Sequence, residues 1–326
     1  MDPYQELTLY QRPAALMAAA QLGVFGALAG GPATPAAIAG KVGAPEDSVA
    51  RLMEALRALD YVSGEAGSYA LNDFSRSFLR EGAGGMVRLA WKEHLFYTAW
   101  GRLGDAVRTG NALFASYRDR LARDLPSVER FLLALNDLAQ SGAPGVIATG
   151  AFAGAGTILD LGGGGAGYAA ELAAAIPSAK VTLADLPQVL PIARGHLGRK
   201  GVGDRVELAE ADFLQEGCGL GARTFDRVFL SHILHDFDVP AASAIVGRAA
   251  RLVAPGGRLA ILDVLIPESG PRNPVEALFD LMMLVEVPGG RSHELSSVKG
   301  WMATAGLRSP QSHKLYFGTL VEARAE

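Results

Sequence analysis

The stretch of this sequence best suited to hold a ligand is Asp160-Leu161-Gly162-Gly163-Gly164-Gly165-Ala166-Gly167. It follows an apolar run at 157–161 and precedes a helical pattern at 168–175, so it reads as a strand-to-helix turn. Glycines in such a turn let the backbone bend sharply and approach a bound group closely where a Cβ would clash. By itself the run is ambiguous, because Gly162, Gly164 and Gly167 also satisfy the G-x-G-x-x-G pattern of dinucleotide sites.

Three acids separate the readings. Asp160 puts a carboxylate at the end of the first strand, where it would face a cationic amino group and repel a pyrophosphate. Asp185, with Leu186 after it, closes the next strand and suits the paired hydroxyls of a ribose in either kind of cofactor. Asp212 offers an acceptor to an adenine amino group, and Phe213 an aromatic face beside the ring. Acids at three successive strand ends of a parallel sheet converge on one crevice, which favours S-adenosylmethionine over a nicotinamide or flavin dinucleotide. Methyl transfer from a sulfonium is an in-line displacement, so the protein must align an acceptor lone pair and take up any proton the acceptor carries. His235 lies just past the fourth strand on the same sheet edge, and a neutral imidazole can accept a phenolic proton near pH 7. The plainer reading of His235 is a cap for the following helix. His235, Asp236 and Asp238 lack further ligands for a metal, and none is expected.

These residues need a parallel sheet to position them. After residue 150 short apolar runs at 157–161, 180–184, 205–209, 225–230 and 257–265 alternate with helical patterns, the signature of βαβ units. The tail, 311–315 and 319–323 around Phe317-Gly318, predicts a hairpin that closes the sheet with an antiparallel strand. Before residue 80 the periodicity predicts short helices, one starting at Thr34-Pro35 and one over 46–59, then a hairpin from 61–63 and 69–71, a winged-helix pattern. Residues 1–80 hold six Lys and Arg (Arg12, Lys41, Arg51, Arg57, Arg76, Arg80) against eight acids (Asp2, Glu6, Glu46, Asp47, Glu54, Asp60, Glu65, Asp73), so packing or dimerisation is expected there rather than DNA reading. Leu9, Leu16, Met17, Leu22, Val24 and Phe25 offer apolar surface for a second copy. Between the two regions a helix over 91–106 and another over 127–141, ending at Gly142 and Pro144, are predicted.

In its motifs the chain resembles the S-adenosylmethionine-dependent small-molecule O-methyltransferases of the plant caffeic acid and hydroxyindole type and their bacterial polyketide-tailoring relatives. The residues that carry the resemblance are the glycine loop at 160–167, Asp185-Leu186-Pro187, Asp212-Phe213, Leu234-His235-Asp236-Phe237-Asp238 for the motif LHDWxD, and Pro255-Gly256-Gly257. The resemblance implies an α/β fold, a Rossmann-like class I methyltransferase sheet with an N-terminal helical winged-helix dimerisation domain. The expected division is 1–110 for that domain, 111–150 for a helical connector and 151–326 for the catalytic domain. His235 is implied as general base, oriented by an acid at Asp263, where relatives carry a longer Glu of greater reach. A second orienting acid of the family is replaced by Ser292, so that either Asp263 alone supports His235, or the chemistry rests chiefly on proximity, or Glu286, His293 or Glu294 substitutes. Cofactor contacts are implied for Ser231, where the family has lysine, for Asp236, and for Phe237, where it has tryptophan. The acceptor pocket is expected to draw on Leu278, Met282, Met283 and Val287, with Phe96, Tyr97 and Trp100. The expected activity is methyl transfer to the hydroxyl of a small aromatic natural product. C- or N-methylation and non-methylating chemistry are the variants, and a winged-helix ligand sensor is the rival class.

The whole chain is compatible with this. Its 326 residues are enough for two domains, and 49% hydrophobic with 20% charged residues is an ordinary globular composition. A formal charge of −4 gives no electrostatic footprint for nucleic acid or anionic lipid. Cys218 is the only cysteine, excluding an intrachain disulfide, and the opening Met-Asp-Pro-Tyr-Gln-Glu is acidic where a secretory signal is basic. A cytoplasmic enzyme without membrane contact, acting as a homodimer, is the expectation.

Overall fold

The structure, a computed structural model, describes residues 2–65, 67–80 and 85–326. The chain divides into two compact units, residues 1–98 and 99–326.

In the first unit the helices are α1 (Pro3–Thr8), α2 (Gln11–Leu22), α3 (Val24–Ala27), α4 (Pro35–Val42) and α5 (Glu46–Ala58). The hairpin β1 (Val62–Glu65) and β2 (Ser68–Leu71) follows, then α6 (Asp73–Phe78) and α7 (Val87–Trp100), which runs into the second unit. The turn residue Ala66 lies outside the described residues. Thr34 caps α4 by accepting from Ala37 N at 3.2 Å, with Pro35 at the first helical position. Helix α5 buries Val49, Met53 and Leu56, three or four residues apart, against Ile38, Val62 and Tyr69, while Ala33 bridges Tyr69 beside the hairpin. Of the residues expected on a dimer surface, Val24 and Phe25 instead form this unit's own core with Leu16 packed against it, and Met17 is buried; Leu9 and Leu22 are exposed, together with Tyr4, Leu7 and Tyr10. Periodicity gives the apolar face of a helix but not which molecule covers it.

In the second unit, α8 (Leu103–Thr109), α9 (Tyr117–Arg123) and α10 (Leu125–Ala148) precede the sheet. The predicted helix over 91–106 is broken: α7 stops at Trp100, where Gly101 weakens the helix and Arg102 N closes a tight turn on Ala99 O at 2.8 Å. The predicted stop before Gly142 is likewise overturned. Helix α10 continues through Pro144 for 24 residues, because Ala143 and Val146 of its last turns bury against the sheet layer and offset the missing hydrogen bond.

The sheet comprises β3 (Thr157–Leu161), β4 (Lys180–Asp185), β5 (Val206–Glu210), β6 (Phe225–Ser231), β7 (Val253–Asp263), β8 (Arg308–Leu315) and β9 (Gly318–Arg324), in the order β5-β4-β3-β6-β7-β9-β8. The first five strands run parallel; β9 and β8 add the antiparallel closing hairpin. Both faces are covered, as parallel strands require. Ile158, Val181, Phe229 and Leu262 face α10, α11 (Gly167–Ala175) and α12 (Leu190–Arg199), while Leu159, Val228, Leu230 and Ile261 face α13 (Val239–Ala250) and α15 (Leu295–Thr304). The chain passes from β3 outward to β5, then returns to β6 on the other side of β3. This switch point opens a crevice at the carboxyl ends of β3, β4 and β6. Helix α14 (Pro274–Glu286), started by a capping box of Asn273 and Glu276, follows β7. Among the described residues no helix is long and apolar enough to cross a membrane.

Candidate active site

The glycine loop leaves β3 in a conformation that few side chains permit. Gly162 has φ +75°, and a Cβ there would lie 2.8 Å from Ile233 Cδ1 and 3.0 Å from Phe213 Cε1. At Gly163 a Cβ would meet Asp160 Oδ2 at 2.7 Å, so the loop folds tightly over the first acid. The next acid fastens the loop: Asp185 Oδ2 accepts from Gly164 N at 2.8 Å, and its Oδ1 accepts from Leu186 N at 2.7 Å. From the helix layer, Asn136 Nδ2 donates to Gly165 O at 2.7 Å. Asp160 is fully buried and neither of its carboxylate oxygens has a hydrogen-bond partner. Burial, with the nearby Asp185 charge, pushes Asp160 up to about 7 against the Ala169 N–H, which favours the carboxylate without completing a hydrogen bond to it. Asp185 rises to about 6 by burial, opposed by the Gly164 and Leu186 N–H groups and by Arg118. An orphaned buried carboxylate beside a cradle with no room for side chains fits the amino group of S-adenosylmethionine, and fits a pyrophosphate badly.

At the third strand end, Asp212 Oδ1 accepts from Arg118 Nη2 at 2.6 Å and Leu214 N at 3.0 Å, and Oδ2 from Gln215 Nε2 at 3.0 Å. Burial raises this carboxyl but is outweighed by Leu214 N–H and Arg118, which hold it below its ordinary value. Phe213 meets Phe237 edge to face at 5.8 Å, bringing both predicted aromatic residues to one place. Ser231, the last residue of β6, is half-buried there. Helix α9 packs through Leu121 on Val128, Leu132, Val189 and Ile192, with Leu186 at the edge of that cluster. It carries Tyr117, whose phenol is held well above its ordinary value by burial and the Asp185 charge.

Past β6 the chain turns through His232, whose φ of +55° is left-handed, and a short helical turn, Leu234–Asp236, delivers His235. Despite its shorter side chain Asp263 reaches the imidazole: His235 Nδ1 lies 2.6 Å from Asp263 Oδ1, since Asp263 ends β7 beside the returning chain and His235 N also donates to Asp263 Oδ2 at 3.3 Å. Burial opposes a charged His235, but Asp263, with smaller contributions from Asp236 and Glu286, outweighs it and carries the ring up to about 9. Asp263 is in turn held down at about 2 by His235 against the burial that would raise it. The ring's Nε2 faces Asp236 Oδ1 at 3.6 Å, and Phe279 of α14 stands edge-on at 5.0 Å. His232 stacks on Tyr168 at 6.5 Å and is kept neutral by burial, at about 4. His232, His235 and Asp263 present potential ligand atoms within 4.8 Å of one another. The 2.6 Å hydrogen bond accounts for the approach of two of the three.

Around Ser292 the structure separates the candidate substitutes. Ser292 is buried with an unpartnered Oγ, and its N–H donates to Asp280 Oδ1 at 2.8 Å. His293 is committed to Leu234 O at 2.9 Å, and Glu294 is the exposed N-cap of α15. Glu286 is buried, and its charge acts on His235. Of the predicted pocket residues, Met283 is buried, Met282, Val287 and Trp100 are half-buried, and Leu278 is exposed. Phe96 and Tyr97 belong to the first unit, where Phe96 is buried beneath Lys92 at 4.5 Å. Sequence reasoning missed Phe279, although its spacing to Met282, Met283 and Glu286 marks one helix face. It also missed His232, three residues before His235, and Asn136, Tyr117, Arg118 and Arg120, which carry no local signal.

Comparison with known proteins identifies the family. Residues 100–308 match the O-methyltransferase domain family and residues 5–81 the O-methyltransferase dimerisation domain family. The 3-amino-4-hydroxybenzoate 4-O-methyltransferase of Streptomyces cremeus is 32% identical over 309 residues, 90% of this chain and 81% of that protein. The mitomycin biosynthesis 6-O-methyltransferase of Streptomyces lavendulae is 32% identical over 308 residues, covering 91% of this chain and 86% of its own. Among solved structures, PigF with SAH superposes with a TM-score of 0.84 at 27% identity, over 99% of this chain and 98% of that one. The chain belongs to the S-adenosylmethionine-dependent O-methyltransferase family.

Proposed function

We propose that the protein methylates the hydroxyl of a small aromatic molecule, with His235 as general base. The observation that carries this is the 2.6 Å bond from His235 Nδ1 to Asp263, which leaves Nε2 as the ring atom able to take a proton. S-adenosylmethionine, when bound, supplies an electrophilic methyl on a sulfonium. Asp160 would hold its amino group, Asp185 its ribose, and Phe213 and Phe237 its adenine, with Gly162, Gly164 and Leu186 shaping the backbone around it and Ser231, Asp212 and Asp236 at its rim. Asp263 keeps the proton on Nδ1 and stabilises the imidazolium that forms as the acceptor loses its proton. A cationic cofactor opposes that imidazolium, so a ring resting near pKa 9 becomes a usable base only in the loaded protein.

Phe279, Met282 and Met283 of α14, with Val287 after it, would form one wall for a flat acceptor, edge-on to His235. Leu278 and Trp100 are further pocket candidates. We infer two copies of the chain per molecule, through the first unit, because that region matches a dimerisation domain and exposes Tyr4, Leu7, Leu9, Tyr10 and Leu22; light scattering at micromolar concentration that finds a monomer would refute this. A cytoplasmic location is inferred from the single, buried cysteine. The activity is tested with trideuteromethyl-labelled cofactor and matched phenols, anilines and arenes: label on oxygen supports the reading, and label confined to nitrogen or carbon refutes it.

A further inference from the structure

One cation in the second unit is only loosely paired, through a 3.7 Å contact between Arg120 and Glu286. Arg120 of α9 is largely buried, 22% exposed at its side chain, and its guanidinium donates no hydrogen bond among the described residues. Its Nε is fully buried and unpartnered. The nearest carboxylate oxygen, Glu286 Oε1, lies 3.7 Å from Nη2, beyond hydrogen-bond range. Phe114, Tyr117 and Phe131 surround the guanidinium with ring centroids at 5.9, 5.9 and 5.6 Å. The group also sits near the base. Glu286 and Asp236 act on His235, and Arg120 acts on Asp236.

A counter-charge for Glu286 alone would not require this arrangement. Such a role is filled at about 2.8 Å by a bidentate contact, whereas here the planar fork is flanked by rings, its buried Nε has no acceptor and its carboxylate neighbour stands 3.7 Å away. Leaving a buried donor unmade costs stability, and that cost is recovered when a ligand brings the acceptor. The fork matches a carboxylate, and the rings suit the plane of an aromatic ring attached to it.

Resting on the reading that the acceptor is an aromatic hydroxyl compound, we propose that Arg120 anchors a carboxylate carried by that acceptor, so that the substrate is a hydroxylated aromatic acid. Asp236 and Glu286 do not forbid it. Burial pushes the Asp236 carboxyl toward its neutral form, and Glu286 pairs with the guanidinium at 3.7 Å without a hydrogen bond, which leaves the donors open to a closer acceptor.

The test reads binding rather than turnover, so it stands apart from the role of His235. The three monohydroxybenzoates and the three monohydroxybenzamides are titrated calorimetrically into the full-length protein saturated with S-adenosylhomocysteine. At least one acid is expected to bind about tenfold or more tightly than its amide, a preference that falls to within about threefold in Arg120→Ala and is partly kept in Arg120→Lys. Unchanged S-adenosylhomocysteine affinity in both variants shows that they are folded; if Arg120→Ala is not, Arg120→Lys and Arg120→Gln carry the comparison. No acid binding at millimolar concentration, equal affinity for acid and amide, or a preference that survives in Arg120→Ala overturns the proposal. If the preference holds while labelled methyl appears only on nitrogen or carbon, the anchor stands and the O-methylation reading fails.

Discussion

His235 Nδ1 and Asp263 Oδ1 are 2.6 Å apart, a contact that fixes both the tautomer and the plane of the imidazole. If the ring is the base, His235→Ala should lower turnover by roughly 10²- to 10⁴-fold while leaving S-adenosylhomocysteine affinity nearly unchanged, since no cofactor contact is assigned to it. Stopped assays and calorimetry on one preparation check this, and a loss below about tenfold removes the base.

The same contact sets the pH dependence. Only neutral His235 can accept a proton, and with its value raised to about 9 it is mostly charged at pH 7 in the ligand-free protein. The expected rate therefore increases with pH above 6.5, with an apparent midpoint below 9 because the cofactor's positive charge favours the neutral ring. In Asp263→Asn the raising charge is gone, so the limb should move to lower pH while the plateau falls. A limb that stays in place in that variant would separate Asp263 from the base.

For the ribose side, Asp185→Ala should weaken S-adenosylhomocysteine by about 1–3 kcal/mol, through loss of charge-assisted hydrogen bonds. The variant also releases Gly164 N, which Asp185 holds at 2.8 Å. Asp185→Asn, which keeps an acceptor there, should lose less. Equal losses in the two variants would make the effect one of loop geometry.

What the sequence revealed was whatever local pattern controls. The five parallel strands are visible because strands buried on both faces need continuous apolar runs, and the glycine loop is visible because no other residue fits between Asp160, Ile233 and Phe213. The end of α10 was hidden, since Gly142 and Pro144 signal a stop that only the burial of Ala143 and Val146 overrides. Arg118 and Arg120 look like ordinary solvated charges on a short helix. Their meaning arises from Asp212, 94 positions away, and from three rings that the fold gathers. Val24 and Phe25 show the opposite limit, apolar residues whose partner is the unit itself.

Asn136 gives a prediction that no motif suggests. Its Nδ2 is buried against Gly165 O at 2.7 Å, tying α10 to the loop over the cofactor crevice. Asn136→Leu should destabilise the protein by about 1–3 kcal/mol, by stranding a buried carbonyl and crowding Gly165, and should also weaken S-adenosylhomocysteine. Denaturant unfolding with and without the ligand separates the two effects. If stability falls and affinity does not, Asn136 supports the fold alone.

The last prediction follows from Asp160, whose buried oxygens lack partners and whose carboxyl is pushed up to about 7. Near pH 7 a substantial fraction of the ligand-free protein therefore carries a proton on Asp160. The amino group of S-adenosylhomocysteine arrives as a cation, favours the carboxylate, and drives that proton off. Binding should thus release about half a proton at pH 7, less as the pH rises past about 8, and affinity should increase between pH 6 and 8. Titrations in buffers of different ionisation enthalpy measure the number directly. Asp185, raised to about 6, is coupled to Asp160 but mostly ionised at pH 7, so it contributes little there. Asp160→Asn should abolish the release and weaken binding by about tenfold or more, because an amide cannot meet the ammonium charge. S-adenosylhomocysteine lacks the sulfonium, so His235 should keep its proton and leave the count to Asp160. Heats that do not vary with buffer at pH 7, or a release that persists in Asp160→Asn, would place the amino group elsewhere.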